Sequence, residues 1–251
     1  MNLTGNTILI TGGGSGIGRG LAEAFLALGN QVIIAGRRQH VLDETAAANP
    51  GMQSLTLDIE DPAAVRAFAA HATAQFPALN VLINNAGIMR TEKLLAQQPD
   101  LADSEAIITT NLLGPIRLTA ALLPQLQSQP SSAIINVSSG LAFLPLSLTP
   151  TYCATKAALH SYTLSLRYQL RTTSTEVIEL IPPYVQTHLM QGAEDPRAMP
   201  LKEFIAEVMQ IFQTQPTPAE ICVERVKGMR FAAENGKFDA IFNGLNGSFT
   251  L

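Results

Sequence analysis

Short apolar runs alternate with longer helical stretches along the whole chain, and this alternation restricts the possible folds more than any other feature. The runs are mostly unbroken isoleucine, leucine and valine, as parallel strands need when helices cover both faces of their sheet. Seven strands are predicted, at Thr7–Thr11, Gln31–Ala35, Ser54–Asp58, Val81–Asn84, Ala133–Ser138, Glu176–Ile181 and Phe238–Phe242. The predicted helices are Ile17–Leu28, His40–Ala48, Pro62–Gln75, Leu101–Leu126, Pro150–Arg171 and Pro218–Ala233. The pattern predicts a doubly wound α/β fold, with a mostly parallel seven-stranded sheet and helices on both faces.

The chain is expected to form one domain over residues 1–251. Its 251 residues are 47% hydrophobic, which suits a single large core, and no repeat or low-complexity linker divides them. The least regular stretch is Pro182–Gln215, rich in proline, methionine and glutamine. Because long irregular segments in compact domains are usually functional, we expect residues at about 188–215 to cover the substrate.

The charge pattern limits the partners of this chain. The formal net charge is −4 without a basic cluster, so no nucleic-acid partner is expected. The N-terminus lacks a signal-peptide pattern, and Asn111, Gly114, Pro115 and Arg117 interrupt the apolar stretch Ile107–Leu123. These features predict a cytoplasmic protein without a membrane partner. Since charged residues make up only 14% of the chain, a homodimer or homotetramer is favoured.

No metal site is predicted. Cys153 and Cys222 form neither a disulfide framework nor a ligand cluster, and a packed, reduced thiol is expected for each. The four histidines are scattered, although His188 follows Thr187 closely enough either to reach a site or to lie in solvent.

A glycine-rich turn joins the first strand to the first helix. Its sequence is Gly12-Gly13-Gly14-Ser15-Gly16-Ile17-Gly18. Glycines let the backbone approach a pyrophosphate, and the helix N-terminus offers it unpaired N–H groups. A tight turn alone would also explain the glycines, but their position between a strand and a helix favours a dinucleotide site.

Two arginines, Arg37 and Arg38, follow the second strand, where NAD-preferring sites usually carry an acidic residue. Guanidinium groups at this position suit a 2′-phosphate, through charge-assisted hydrogen bonds. NADP(H) is therefore expected in preference to NAD(H). The alternative is a solvated arginine pair at a helix start.

Tyr152 and Lys156 lie four residues apart, and Ser139 precedes the tyrosine by thirteen residues. A four-residue step on a helix places two side chains on one face. An ammonium group beside a tyrosine favours the phenolate and lowers the tyrosine pKa, which suits proton transfer. The Ser139 hydroxyl could hydrogen-bond the substrate oxygen. Taken alone, the Tyr–Lys pair is better explained as two residues that share one side of a helix by chance.

Together these motifs resemble the short-chain dehydrogenase/reductase family, in its compact single-domain branch, over nearly the whole chain. The resemblance implies a Rossmann fold and an NAD(P)-dependent oxidoreductase. It implies the catalytic residues Asn111, Ser139, Tyr152 and Lys156. The cofactor-binding positions that it implies, besides Tyr152 and Lys156, are Gly12, Gly14, Ser15, Gly16, Ile17, Gly18, Arg37, Arg38, Asp58, Ile59, Asn85, Ala86, Gly87, Pro182, Val185 and Thr187. Pro183 departs from the family pattern, which usually has glycine there.

The implied reaction is hydride transfer between a nicotinamide and a carbonyl or secondary alcohol carbon. In the family's scheme Tyr152 exchanges the proton, Lys156 supports it and binds the nicotinamide ribose, Ser139 positions the substrate oxygen, and Asn111 holds a water linked to the lysine. Apolar residues suggest a hydrophobic small-molecule substrate under a helical lid, although core packing is the better explanation for most of them taken singly: Ile88, Met89, Leu141 to Leu146, Phe204, Val208, Ile211 and Phe212.

Two other functions remain open. One is a non-catalytic, NADP-binding sensor on the same fold, although such relatives usually lose the tyrosine or the lysine. The other is a sugar-nucleotide epimerase or dehydratase with the same Tyr-x-x-x-Lys pair. Those enzymes resemble a longer branch with a different glycine spacing, so the spacing and length of this chain disfavour it.

Overall fold

The computed structural model describes residues 1–94, 100–190, 195–215 and 217–249. Its seven strands are all paired in parallel in the order β3-β2-β1-β4-β5-β6-β7. They are β1 (Thr7–Thr11), β2 (Gln31–Gly36), β3 (Gln53–Thr56), β4 (Leu79–Asn84), β5 (Ser132–Val137), β6 (Thr175–Ile181) and β7 (Glu220–Cys222). The chain winds outward from β1 in both directions, which confirms the doubly wound α/β prediction and places a switch point at the carboxyl ends of β1 and β4.

The helices pack on both faces of this sheet. They are α1 (Gly16–Ala27), α2 (Gln39–Ala48), α3 (Pro62–Gln75), α4 (Ala102–Ile108), α5 (Gly114–Gln127), α6 (Pro150–Leu170), α7 (Leu201–Thr214), α8 (Glu224–Arg230) and α9 (Phe238–Gly247). Local chemistry explains one boundary well: the Asp61 side chain accepts the Ala63 N–H at 2.7 Å, and Pro62 occupies the first helical position of α3.

Alternate residues of the central strands supply two separate cores. Ile8 and Ile10 pack with Phe25 of α1 on one face, whereas Leu9 packs with Leu118 of α5 on the other. All of these side chains are fully buried, because helices cover both faces. The unbroken apolar runs of the sequence therefore reflect burial on both sides.

Helix α7 belongs to the first of these cores. Phe204, Val208 and Phe212 are buried, Ile211 packs beside them, and the rings of Phe25 and Phe212 meet edge to face at 5.8 Å. These four residues therefore pack in the core, as the alternative interpretation held, and they do not line the cleft described below.

The seventh strand is not where the sequence pattern placed it. Phe238–Phe242 is helical, as the start of α9, because Phe238, Phe242 and Leu245 recur at helical spacing, and the two phenylalanine rings stack at 5.6 Å. The true β7 lies inside the predicted helix Pro218–Ala233, which is therefore also wrong in part. Ile221 at its centre is fully buried beside Leu180 of β6.

Helices α4 and α5 join through a π-helical segment, Thr109–Leu113. By length and composition the whole stretch Ala102–Gln127 could cross a membrane, and it is the one such helix among the described residues. Leu118, Leu122 and Leu126 are fully buried in the second core. A core helix passes the same test, so this is weak evidence for a membrane span.

Candidate active site

A cleft of about 840 Å³ lies at the carboxyl ends of the central strands. The loops after β1, β2, β4, β5 and β6 all contribute to its walls. Because parallel strands deliver their carboxyl ends to one edge of the sheet, motifs far apart in sequence meet here.

Glycine is required in the turn after β1 for two different reasons. Gly12 and Gly16 have φ values of +67° and +52°, in the left-handed region that favours glycine. At position 18, packing leaves no room for a side chain, because a Cβ there would lie 2.4 Å from both the Gly12 carbonyl oxygen and Asn85 Nδ2. Gly18 therefore holds α1 close to the turn and does not line the cleft.

Gly18→Ala is expected to lower the affinity for a dinucleotide by about tenfold and the stability by about 1–3 kcal/mol, the usual effect of overpacking. Gly228→Ala in α8 is the matched control, since nothing beyond its chain neighbours and its own helix backbone lies within 4 Å of a Cβ there. That variant should be no less stable than wild type and should bind normally. Fluorescence titration with NADPH and thermal unfolding measure both effects; wild-type affinity in Gly18→Ala would contradict the packing argument.

Thr11 and Asn85 join the glycine turn to the end of β4. The Thr11 hydroxyl accepts the N–H groups of Asn85 and Ala86, both at 3.0 Å, and Asn85 Nδ2 donates to the Thr11 carbonyl at 2.9 Å. Thr11 was not among the predicted site residues. Its position as the last residue of β1, beside the turn, is the signal that could have identified it.

The two arginines after β2 have different surroundings. Arg37 Nη1 lies 2.9 Å from Glu60 Oε1, and this carboxylate also accepts the Thr110 hydroxyl at 2.8 Å. Arg38 is exposed at the N-terminal end of α2, and no ion pair among the described residues involves it. Both line the cleft.

Asp58, which the family resemblance implied to be a cofactor-binding residue, lies outside the cleft lining. It lies two residues beyond β3, is exposed, and accepts the Glu60 N–H at 3.0 Å. Its neighbours Leu57 and Ile59 line the cleft, and Asp58 does not.

Tyr152 and Lys156 share one face of α6, as their spacing predicted, and both are buried, with 5% and 4% of their surfaces exposed. The lysine Nζ lies 5.6 Å from the centre of the tyrosine ring and donates to the Val137 carbonyl at 2.8 Å. Ser139 follows β5 and begins a short 3-10 turn, where its hydroxyl accepts the Leu141 N–H at 3.1 Å. The three side chains line the cleft together.

The predicted lowering of the Tyr152 pKa by Lys156 is wrong in this structure. Burial raises the pKa of Tyr152 well above its ordinary value, and the hydrogen bond with Ser139 opposes this increase only in part. Burial also lowers the pKa of Lys156 to about 8, with the negative charge of Glu179 acting in the opposite direction. Because both groups are shielded from water, desolvation is the largest cause of both pKa changes.

Asn111 lies in the π-helical segment, where the resemblance implied a local disturbance of the long helix. Its Oδ1 accepts the Ile88 N–H and its Nδ2 donates to the Ile88 carbonyl, both at 2.9 Å. A Cβ on Gly87 would meet both Asn111 Oδ1 and Lys156 Nζ within 4 Å. Asn111 therefore supports the loop beside Lys156 from behind the cleft wall, and the cleft lining does not include it.

The loop after β6 closes the cleft opposite the glycine turn. The Pro182 carbonyl accepts the Gly140 N–H at 2.9 Å, and Val185 forms a parallel bridge with Met199. Thr187 approaches the turn so closely that a Cβ on Gly16 would lie 3.3 Å from its methyl group. Pro183 therefore lies in a loop that is held by a contact of Pro182 before it and of Val185 after it.

The cleft becomes apolar beyond Tyr152. Here it is lined by the expected Ile88, Met89, Leu141 and Leu146, joined by Met190. His188 also lines the cleft while remaining exposed. It therefore both reaches the site and lies in solvent, the two alternatives that the sequence left open.

Residues near the C-terminus complete this apolar part, and sequence reasoning missed them. Leu245, Ser248 and Phe249 line the cleft, together with Tyr184. Arg197 fixes this segment, because its Nη1 donates to the Ser248 carbonyl at 3.2 Å and its guanidinium lies 4.3 Å from the Phe249 ring. The helical spacing of the apolar residues in α9 was the sequence signal that could have identified this segment.

All but three of the predicted site residues therefore line one cleft. The three exceptions are Gly18, Asp58 and Asn111.

A parallel sheet with a glycine turn at its switch point, and a buried serine, tyrosine and lysine beside it, defines a nucleotide-binding oxidoreductase with a Rossmann fold. The family model for short chain dehydrogenases matches residues 6–198. The chain belongs to this family, as the sequence motifs predicted.

Similar proteins agree with this assignment. The uncharacterized oxidoreductase DltE of Bacillus subtilis (strain 168) is 42% identical over 249 residues, covering 98% of each chain. A short chain dehydrogenase from Burkholderia cenocepacia J2315, solved in complex with NADP, has a TM-score of 0.81 and 26% identity, and the match covers 98% of this chain and 99% of that one. A short chain dehydrogenase/reductase from Burkholderia phymatum, in complex with NAD, has a TM-score of 0.81 over 95% and 96% of the two chains; at 20% identity it shows the fold alone.

Proposed function

We propose that this protein is an NADP(H)-preferring oxidoreductase that interconverts a hydrophobic carbonyl compound and its secondary alcohol, with Tyr152 as general acid and base. The observation that carries the proposal is the placement of Ser139, Tyr152 and Lys156 in one cleft, between the glycine turn and an apolar wall. A small-molecule carbonyl group at this junction would meet proton-transfer groups on one side and the cofactor site on the other.

The nucleotide part of the cleft fits a dinucleotide. The positive φ angles at Gly12 and Gly16 and the N-terminus of α1 together form a cradle for a pyrophosphate. When bound, the nicotinamide supplies or accepts the hydride. Val185 and Thr187, on the opposite loop, are proposed to hold its ring end, and Asn85 to Gly87 its adenosine side.

The proton chemistry is assigned to the chain's own residues. In reduction, the Tyr152 hydroxyl donates its proton to the carbonyl oxygen, and in oxidation its phenolate removes the alcohol proton. The raised pKa of Tyr152 keeps the hydroxyl protonated at neutral pH, so the proton-donating form is present for reduction, whereas the phenolate that oxidation needs forms only at higher pH. Ser139 positions the substrate oxygen, Lys156 stabilises charge at Tyr152 and binds the nicotinamide ribose, and Asn111 orders the backbone behind the lysine.

Arg38 is proposed to bind the 2′-phosphate of NADP(H) more strongly than Arg37. Because Glu60 already pairs with Arg37, that guanidinium must give up or share an existing contact. We expect Arg38→Ala to weaken NADPH binding by about tenfold, as the loss of a charge-assisted hydrogen bond would, and Arg37→Ala to weaken it less. Titration of each variant with NADPH and with NADH measures the difference.

NADH binding is the internal control for these variants, since NADH lacks the 2′-phosphate. It should change less than twofold in both. Equal wild-type affinities for NADPH and NADH would overturn the cofactor preference, whatever the variants show.

We also propose a homodimer or homotetramer in the cytoplasm. The low proportion of charged residues supports self-association, as do the exposed Leu164 and Tyr168, which lie one turn apart on α6. We further propose that His188–Met190, which lines the cleft, covers the substrate. Residues 191–194 of the expected covering segment lie outside the described residues. Helix α7 contributes core packing.

A further inference from the structure

A row of polar residues crosses the second half of the sheet at one register level. Asn84 of β4 lies beside Asn136 of β5, Asn136 beside Glu179 of β6, and Glu179 beside Glu220 of β7. Apolar residues flank the row on β5, β6 and β7. Polar groups in a buried sheet are costly unless they are paired, so a run of four in register calls for a specific explanation.

The first half of the row is explained by hydrogen bonds between neutral groups. Asn84 Nδ2 donates to Asn136 Oδ1 at 2.9 Å and to the Thr119 hydroxyl at 3.1 Å, and Asn136 Nδ2 donates to the Thr163 hydroxyl at 2.9 Å. These contacts tie β4 and β5 to helices α5 and α6. They involve no ionisable group.

Glu179 is different because it brings an ionisable group into the core. Its side chain has no exposed surface, and one oxygen, Oε2, lies 2.7 Å from His160 Nδ1. The other, Oε1, has no hydrogen-bond partner within the described parts of the chain. His160 is four residues after Lys156, so Tyr152, Lys156 and His160 follow one another along one face of α6.

The titratable groups around Glu179 come from three elements. Lys156 and His160 lie on α6, Glu220 and Cys222 on β7, and Arg230 on α8. The Arg230 guanidinium binds both oxygens of Glu220, at 2.8 and 2.9 Å. The ligand atoms of His160, Glu179 and Glu220 lie within 4.8 Å of one another, but Arg230 already provides the positive charge for Glu220.

Lys156 is the cation next to His160 on this face of α6, and it donates to the carbonyl of Val137, which is paired with Leu180, the residue after Glu179. Its Nζ is buried, its hydrogen bond to the Val137 carbonyl brings no negative charge, and the Glu179 carboxylate favours its charged form. Besides His160, the titratable group beside Lys156 on this face of α6 is Tyr152, which is neutral at ordinary pH.

We propose that Glu179, held by His160, is a positioning residue whose carboxylate keeps Lys156 positively charged. It touches neither substrate nor cofactor and acts through the lysine. A neutral lysine would lose its electrostatic influence on Tyr152, so Glu179 would set the alkaline limit of activity. This consequence rests on the proposed function, whereas the charge of Lys156 can be measured without it.

The test is an NMR titration of the full chain labelled with ¹³C at the lysine ε-carbon. Lys156 is assigned by its absence in Lys156→Met. In wild type its midpoint should lie at about 8. Glu179→Gln should lower the midpoint by about one pH unit, which is the usual effect of removing a nearby opposite charge. The control is Glu176→Gln, on the opposite face of the same strand, and it should leave the midpoint unchanged.

Two substitutions of His160 provide a second test if Glu179→Gln does not fold. His160→Gln retains a donor that can reach Glu179 and should preserve the Lys156 midpoint, whereas His160→Ala should lower it. An unchanged midpoint in a folded Glu179→Gln or His160→Ala variant would overturn the proposal, as would an equal change in Glu176→Gln.

The pH dependence of turnover with NADPH and a carbonyl compound separates this proposal from the proposed function. We expect the alkaline limb in Glu179→Gln to move to lower pH by the same amount as the midpoint. A shifted midpoint in a chain that turns over no carbonyl compound would overturn the proposed function alone. A shifted midpoint with an unchanged alkaline limb would overturn the role of Glu179 in activity.

Discussion

Replacing Tyr152 with phenylalanine is expected to reduce turnover by about 10²–10⁴-fold, the usual contribution of a general acid or base. The substitution removes the hydroxyl that would donate the proton and keeps the ring. That ring packs in a buried cluster with Met89, Ile107, Leu146 and Cys153, so the fold and the apolar wall should persist. The measurement is the change in nicotinamide absorbance with a panel of hydrophobic aldehydes, ketones and secondary alcohols.

The matched control is Tyr168→Phe, the same change on the same helix. Tyr168 is 68% exposed and lies four turns from Tyr152, so its variant should keep turnover within about twofold of wild type. NADPH affinity and the melting temperature should stay close to wild type in both. If Tyr152→Phe retained full turnover in a folded, NADPH-binding protein, Tyr152 would not be the proton donor. Turnover that is absent even from the wild type over the whole panel would favour the non-catalytic sensor.

The fold was largely predictable because its signals are local. A strand buried on both faces is apolar at most positions, and β1, β2 and β4 to β6 appear in the sequence as such runs, with ends within two residues of the observed ones. The glycine turn was recognisable for the same reason. Gly12 and Gly16 adopt a conformation that few other residues tolerate, and the chemistry of the turn is contained in a few consecutive positions.

The edge of the sheet was not predictable in this way. β7 has three residues, too few to show periodicity, and its central Ile221 is held by contacts with β6. Phe238–Phe242 is rich in residues that favour strands, yet its apolar positions lie on one helical face. Local propensity therefore gave the wrong answer for both segments, and the long-range pairing of β7 with β6 decided the outcome.

In the candidate site, too, the features set by local sequence were predictable and those set by long-range contacts were not. The sequence identified the Tyr152–Lys156 face because helical spacing is local, but it gave the wrong direction for the tyrosine pKa. That direction depends on burial, which Met89 after β4, Ile107 of α4 and Leu146 after β5 create together. Glu179 and His160 were missed because only the register of β6 with its neighbours brings the carboxylate to His160, on the face of α6 that carries Lys156.

Replacing Ser139 with alanine is expected to lower turnover by about 10²–10³-fold, the usual effect of removing a donor that stabilises charge on a reacting oxygen. A second effect acts in the same direction. The hydrogen bond with Ser139 lowers the pKa of Tyr152, so its loss raises that pKa further and makes the tyrosine a weaker proton donor. Oxidation, which needs the phenolate, should be displaced to still higher pH. Turnover of the carbonyl panel as a function of pH measures both effects.

Ser138→Ala is the control that assigns the role to one serine, because the two serines are adjacent and both line the cleft. Ser138 Oγ is directed to the Leu180 carbonyl at 3.5 Å, at the limit of a hydrogen bond, and the side chain is buried at the end of β5. Removing the Ser138 hydroxyl should lower turnover only a few fold, since this group contacts the sheet and not the reacting oxygen. A folded Ser138→Ala variant that lost more turnover than Ser139→Ala would transfer the proposed role to Ser138. Melting temperatures separate these outcomes from unfolding, because Ser139 also caps a 3-10 turn, and its loss should cost about 1 kcal/mol of stability.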